Sequence, residues 1–201
     1  MVIPSPQTPR PSKRAERTRE ALAEALLSLL REGQLSPPAQ AIADRAGLSL
    51  RSVFHHFEDL RALHEEASRR QYEAVSAMLR PIDPSAPFEE RLEAFTAQRA
   101  KVLEFISPVR RASLLRVHED AEVREGVGRI RGAKREETLR TFAAELDALP
   151  KAERALAVPL LASLASFDTW EVLRTHEGLS IAKARATVAH GIARILGKET
   201  P

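Results

Sequence analysis

The sequence predicts an all-α protein of about nine helices. Three observations carry this prediction. Apolar residues recur three and four apart along almost the whole chain, the pattern of one helix face. Strict apolar–polar alternation, the mark of a half-buried strand, is absent. Prolines, glycines and serines separate the periodic runs, at places where helices stop and start.

Residues 1–12, with Pro4, Pro6, Pro9 and Pro11, hold no apolar run of the signal-peptide kind and are expected as a disordered arm. Leu22, Leu26, Leu29 and Leu30 mark the inward face of a first helix from about Lys13 to Glu32, stopped by Gly33. Ser36 is expected to cap a second helix, with Pro37 in its first turn and Ala39, Ile42, Ala43 and Ala46 inward. Gly47 suits the positive φ of a sharp turn, and Ser49 caps a third helix that turns Val53 and Phe57 inward. Asp59 starts a long fourth helix that runs to Arg80 and is broken by Pro81.

Beyond a linker of Pro84, Ser85 and Pro87, Phe88, Leu92, Phe95, Val102 and Phe105 stripe a helix expected to end before Pro108. A shorter helix follows from Val109 to His118. The stretch from Val123 to Leu149 is rich in Arg and Glu at i,i+4 spacing, with Leu139, Phe142, Ala143 and Leu146 inward. Pro150 opens a helix to about His176. Gly178 stops it, and Ser180 caps a last helix to Leu196. The expected organisation is a helix-turn-helix domain over residues 13–58 and a second helical domain over 59–201.

Helices two and three form a helix-turn-helix whose second helix shows polar groups to solvent: Arg51, Ser52, His55 and His56, with Leu50 beside them. Such a helix fits a DNA major groove. Leu50 and Arg51 sit near its start, where base edges are reached; Arg can donate in parallel to a guanine edge, and Leu50 can touch a thymine methyl. Ser52, His56 and the helix start at Ser36 and Pro37 are placed for phosphate. Over residues 1–57 eight basic residues stand against five acidic ones, so the whole net charge of +3 falls on this segment.

Composition closes off other chemistry. The 201 residues, 43% hydrophobic and 29% charged, can bury a real core. The absence of cysteine excludes disulfides and thiolate metal sites, and it fits a cytoplasmic protein. The longest apolar run, from Ala155 to Phe167, is too short to cross a bilayer and contains Pro159, so no membrane partner is expected. Adjacent His55 and His56 point in different directions, and His118-Glu119-Asp120 lacks a second ligand one turn on, so no metal is expected. Gly126, Gly128 and Gly132 have neither the preceding strand nor the following Lys-Ser/Thr of a phosphate loop. No nucleophile elbow, cysteine nucleophile or spaced carboxylate pair stands out, so neither an enzyme nor a cofactor is expected.

Ile42-Ala43, Ala46-Gly47-Leu48-Ser49 and Val53-Phe54-His55-His56-Phe57, with Leu63 beyond, together resemble the signature of the tetracycline-repressor (TetR) family of bacterial transcriptional regulators. The specific part covers about thirty residues. Phe54 stands where that family usually has a phosphate-binding tyrosine. Leu60 stands where it often has a lysine, with Arg61 adjacent. The resemblance implies DNA contacts from Ser36, Pro37, Arg45, Ser49, Leu50, Arg51, Ser52, Phe54, His55, His56 and Arg61.

It also implies an effector cavity in the second domain, for which Phe95, Arg99, Val102, Phe105, Leu115, His118, Phe142, Phe167 and Trp170 are the candidates. The last two long helices are implied to form a four-helix dimer bundle, with Leu160, Leu164, Ile181, Val188, Ile192 and Ile195 at the interface. Beside them Ala182, Ala186, Ala189 and Ala193 form a row of small side chains. The expected function is a homodimeric regulator that binds a double-stranded DNA operator and is released by a small-molecule effector. Two alternatives stay open: a DNA-binding regulator whose second domain only dimerises, and a helical small-molecule-binding protein without DNA function.

Overall fold

The computed structural model describes residues 12–118 and 120–198; residues 1–11 of the expected arm and Glu119 lie outside the described residues. The described residues form ten α-helices and one π-helical turn, with no strand, as the all-α prediction requires. The chain divides into two compact units, residues 1–73 and 74–201.

In the first unit, α1 (Lys13–Arg31), α2 (Ala39–Ala46) and α3 (Leu50–His56) are followed by the greater part of α4 (Leu60–Met78). Ser12 caps α1, its Oγ accepting from the Ala15 amide at 3.2 Å. Leu22, Leu26, Leu30, Ile42, Val53 and Leu63 are almost wholly buried together. Each such side chain contributes about 1.5–3 kcal/mol on leaving water. The sharp turn forms at Gly47 (φ 66°), where the Leu48 amide donates back to Ala43 O at 2.9 Å and closes the end of α2. Ser49 Oγ then accepts from the Ser52 amide at 3.2 Å and opens α3.

Two expectations shift here. Helix α2 starts at Ala39, with Pro38 in the cap position, and not at Ser36–Pro37. A residue that precedes proline is driven out of the helical region, so Pro37 cannot begin a turn. The division between units lies inside α4 and not at residue 58. Leu63 and Ala67 are buried, and Arg70 pairs with Glu20 of α1 at 3.3 Å, so the first turns of α4 belong to the first core.

The second unit holds α5 (Phe88–Arg116), α6 (Ala121–Thr141), α7 (Ala143–Ala148), α8 (Lys151–Leu164), α9 (Phe167–Glu171), a π-helical turn (Val172–His176) and α10 (Ile181–Ile195). Its core gathers Phe95, Phe142, Leu161, Trp170, Val188 and Ile192, with the Phe95 and Phe142 rings edge to face at 5.2 Å. Three of its boundaries differ from expectation. Helix α5 runs straight through Pro108, because Ser107, Val109, Arg110 and Ala112 are all buried and hold it across a defect that costs about 3 kcal/mol in an isolated helix. The helix from α6 is interrupted at Phe142, whose ring is wholly buried and whose backbone turns to φ −114°, ψ 26° to place it. Ser166 accepts from the Thr169 amide at 3.2 Å, and this cap separates α9 from α8.

No single described helix is long and apolar enough to cross a membrane; only α8 taken with the segment Phe167–His176 reaches that apolarity, and the pair is bent by 55°.

Candidate nucleic-acid interface

Helix α3 is held by three contacts that leave its outer face bare. Val53 and Phe57 fix its underside in the core. Arg19 of α1 donates to His56 O at the end of α3, and its guanidinium lies 4.1 Å from the centre of the Phe57 ring. The third contact is the Ser49 cap. Arg19 is a positioning residue that sequence reasoning missed, since nothing local links it to a carbonyl so far along the chain. Its one visible sign was an arginine close to the leucine stripe of α1.

The outer face carries Leu50, Arg51, Phe54 and His55, all exposed, with Ser52 and His56 half-buried at its edge. Phe54 is 52% exposed, a large apolar surface to leave in water. The three arginines expected at the interface differ. Arg45 is committed to α1: it donates twice to Glu32, at 2.6 and 2.7 Å, and once to Ser28 Oγ at 2.7 Å. This fork clamps α2 to α1, and its hydrogen bonds, opposed by burial, hold the Glu32 carboxyl below the usual range. Arg61 pairs with Glu65 at 2.7 Å and lies 3.9 Å from Asp59. Arg51 has no hydrogen-bond or ion-pair partner among the described residues, so its donors are available. The same holds for the side chains of Lys13, Arg14 and Arg17, exposed on the first turns of α1.

Ser36 is exposed, but Pro37 is buried and makes no surface for phosphate. The unpaired amides at the start of α2 belong to Ala39 and its neighbours. His56 is pushed below its ordinary pKa, by burial first and then by His55 and Arg19. No cluster of three or more His, Cys, Asp or Glu placed to hold a metal occurs among the described residues.

In the second unit the candidate cavity residues separate into three sets. Phe142, Phe167 and Trp170 are packed core, and Phe105 is half-buried. Leu115 and His118 are exposed. Phe95, Arg99 and Val102 do meet at a cavity, together with Leu79, Ile82, Gln98, Lys134 and Glu137, but its volume is about 10 Å³. That is the room of about one water molecule. Arg99 is buried there, its Nη2 donating to Thr138 Oγ1 at 3.2 Å and lying 3.6 Å from a Glu137 carboxylate already held by Lys134 at 2.8 Å.

The expected dimer residues also redistribute. Val188 and Ile192 are buried in the protomer's own core, and Leu164 and Ile195 pack against it, so these four are not a free face. Leu164 presses on Gly191, where an added Cβ would meet its Cδ2 at 2.5 Å; the glycine lets α10 approach α8 closely. The larger stripe of α10 thus serves the protomer, and the small-residue row is the side left to solvent at Ala182 and Ala186. Of the expected set only Leu160 and Ile181 are exposed, at 54% and 46%. Leu156, at 68%, joins Leu160 on the outer face of α8 with Ala152, Ala155 and Pro159.

No family model matches the chain, and no curated protein sequence matches it. Solved structures do. A transcriptional regulator from Rhodococcus sp. Rha1 superposes with a TM-score of 0.70 at 18% identity, over 89% of this chain and 96% of that one. A TetR-family transcriptional regulator from Streptomyces coelicolor superposes with a TM-score of 0.67 at 21% identity, over 90% of this chain and 80% of that one. The chain therefore has the TetR-type fold of a helix-turn-helix unit followed by a helical second unit.

Proposed function

We propose that this chain is a DNA-binding transcriptional regulator that acts as a homodimer and is released from its operator by a small molecule. The observation that carries the reading is the face of α3. A helix of seven residues, fixed from below and at both ends, presents an unpaired arginine, an exposed phenylalanine and a histidine to solvent. Structural economy alone gives no reason to build such a face. It is suited to a major groove, with Arg51 and Leu50 toward base edges and Ser52, His55 and His56 toward phosphate. Phe54 offers apolar contact to sugar or thymine methyl in place of a phosphate hydrogen bond.

The exposed outer faces of α8 and α10 support dimerisation, and a homodimer carries two copies of α3 for successive major grooves, which recur about 34–36 Å apart on B-DNA. Helix α4, whose residues belong partly to each unit, is the element through which an effector in the second unit alters that spacing. Action on DNA places the protein in the bacterial cytoplasm. A second reading, in which the second unit only dimerises, is favoured by the small size of the cavity beside Arg99.

The test is selection of duplexes from a random library with the purified full chain. The expected outcome is a palindromic site, bound with an affinity that falls steeply as salt rises, because phosphate contacts release counterions. Equal affinity for scrambled duplexes at physiological salt would overturn the proposal.

A further inference from the structure

Helix α5 buries three arginines, and they differ in how well they are matched. Arg91 is fully matched: it donates to both oxygens of Glu145, at 2.5 and 3.1 Å, and to Thr141 O. Arg99 is half matched, sharing Glu137 with Lys134. Arg110 is 9% exposed, its Nε is wholly buried, and no hydrogen bond or ion pair reaches it among the described residues. Its one close neighbour of note is the Phe167 ring of α9, 5.8 Å from the guanidinium carbon. An arginine cannot escape this position by losing its proton, and buried donors in native structures have partners.

The charges around Arg110 define what is missing. The charged groups it feels are Arg131 of α6 and Asp168 at the start of α9. These two already pair with each other, Arg131 Nη2 donating to Asp168 at 2.8 and 3.0 Å. Two cations and one anion leave one positive charge unmatched. Both members of the pair are about half exposed, and a surface ion pair of this kind contributes about 0–1 kcal/mol, so it separates readily. Burial, and then Arg131, push Arg110 below its ordinary pKa, the direction expected of a guanidinium without a counterion.

The geometry points to Arg110 as the anchor of a monocarboxylate-binding site where α5, α6 and α9 meet, with Arg131 as its second donor and Phe167 against the ligand's apolar body. A carboxylate accepts two parallel N–H bonds from the edge of a guanidinium, including its Nε, and brings the one negative charge the site lacks. A dianion such as phosphate overshoots that balance. Arg131 is free to turn from Asp168 to the ligand, which couples α6 and α9 to occupancy. That this ligand is also the effector rests on the regulator reading above; that it binds at Arg110 does not.

The test measures thermal midpoints and calorimetric titrations of the full chain with benzoate and hexanoate, and with benzamide and hexanamide as neutral controls, all in the millimolar range. The carboxylates are expected to raise the wild-type midpoint and the amides to leave it unmoved. Arg110→Met is expected to abolish the response and, without ligand, to melt a few degrees higher than wild type, because it removes an uncompensated buried charge. Arg110→Lys keeps the charge but not the fork, and is expected to weaken the carboxylate at least about tenfold. Wild type unmoved by both carboxylates, equal shifts from the amides, or an unliganded Arg110→Met that melts below wild type would each overturn the site. Operator binding measured on the same samples separates the two readings. Carboxylate binding without any DNA binding sinks the regulator and leaves the site standing, and DNA binding without a carboxylate response does the reverse.

Discussion

The two units differ in where they leave arginine unmatched. In the first unit the guanidiniums stay near the surface. Several are matched by nearby carboxylates, Arg45 by Glu32, Arg61 by Glu65, Arg69 and Arg70 by Glu66, while those of Arg14, Arg17 and Arg51 have no partner among the described residues. The unmatched Arg51 stands in water, where a free guanidinium costs nothing and stays available to a partner. In the second unit α5 carries Arg91, Arg99 and Arg110 into the interior, where a missing partner is a standing cost. An unpaired arginine therefore means different things in the two places. At the surface of α3 it is a set of donors open to a partner. Inside the second unit it is a deficit that the proposed carboxylate would fill.

The contrast breaks first at Arg91 and Glu145. If burial sets the cost of an unmatched arginine, Glu145→Ala strands the Arg91 guanidinium and should destabilise the protein by about 3–5 kcal/mol. The double variant Arg91→Met with Glu145→Leu should recover most of that loss. Urea unfolding of the three chains measures it. A single variant that loses less than about 1 kcal/mol would show that the buried pair is not coupled as its geometry says.

A smaller effect separates the apolar surface of the second unit from its core. Leu160→Glu and Leu156→Glu place charge on the outer face of α8, so sedimentation should show monomer while far-ultraviolet ellipticity and melting cooperativity persist. Ile192→Glu buries the charge in the protomer core and should abolish folding instead. Leu160→Glu remaining dimeric at micromolar concentration would place the dimer contact elsewhere.

Arg51 and Arg45 test the same contrast within the first unit. Arg51→Ala should leave stability within about 0.5 kcal/mol of wild type and cost about 1–3 kcal/mol on the selected operator, relaxing preference at one base position per half-site. Arg45→Ala should do the opposite, weakening the clamp of α2 on α1 with no change in base preference. A uniform loss across all sequences for Arg51→Ala would place that residue on phosphate.

The first unit was largely legible in the sequence because its decisive signals are local. Gly47, Ser49 and Asp59 each act within four residues, and the leucine stripe of α1 is plain periodicity. What was not legible crosses between helices: the Arg19 contact with His56 O, and the Arg45 fork on Glu32 that removes a basic residue from the free surface. The second unit yielded less for the same reason. Pro108 reads as a stop in any local scheme, and only tertiary burial of the residues around it carries α5 through. Helix α10 shows two apolar stripes at equal spacing, and the sequence does not say which one the protomer keeps. The larger residues Val188 and Ile192 went to the core, where they remove the most area from water.

The smallest effect concerns His56. Its pKa in the free protein is held below the ordinary histidine value, by burial, His55 and Arg19, so the folded chain binds fewer protons than the unfolded chain just below pH 6.5. Stability therefore rises with pH through that window and falls as the pH drops. DNA binding should run the other way. A phosphate beside His56 favours the imidazolium, so the bound state takes up a proton and operator affinity should rise as the pH falls from about 7.5 to 5.5. The gain should not exceed about tenfold per pH unit, since a single proton is taken up. His56→Asn should flatten both profiles, one from thermal melts and the other from fluorescence anisotropy at fixed salt. If affinity and stability fell together on acidification, and His56→Asn flattened only the stability profile, His56 would be a packing residue at the end of α3 and its place among the phosphate contacts would be lost.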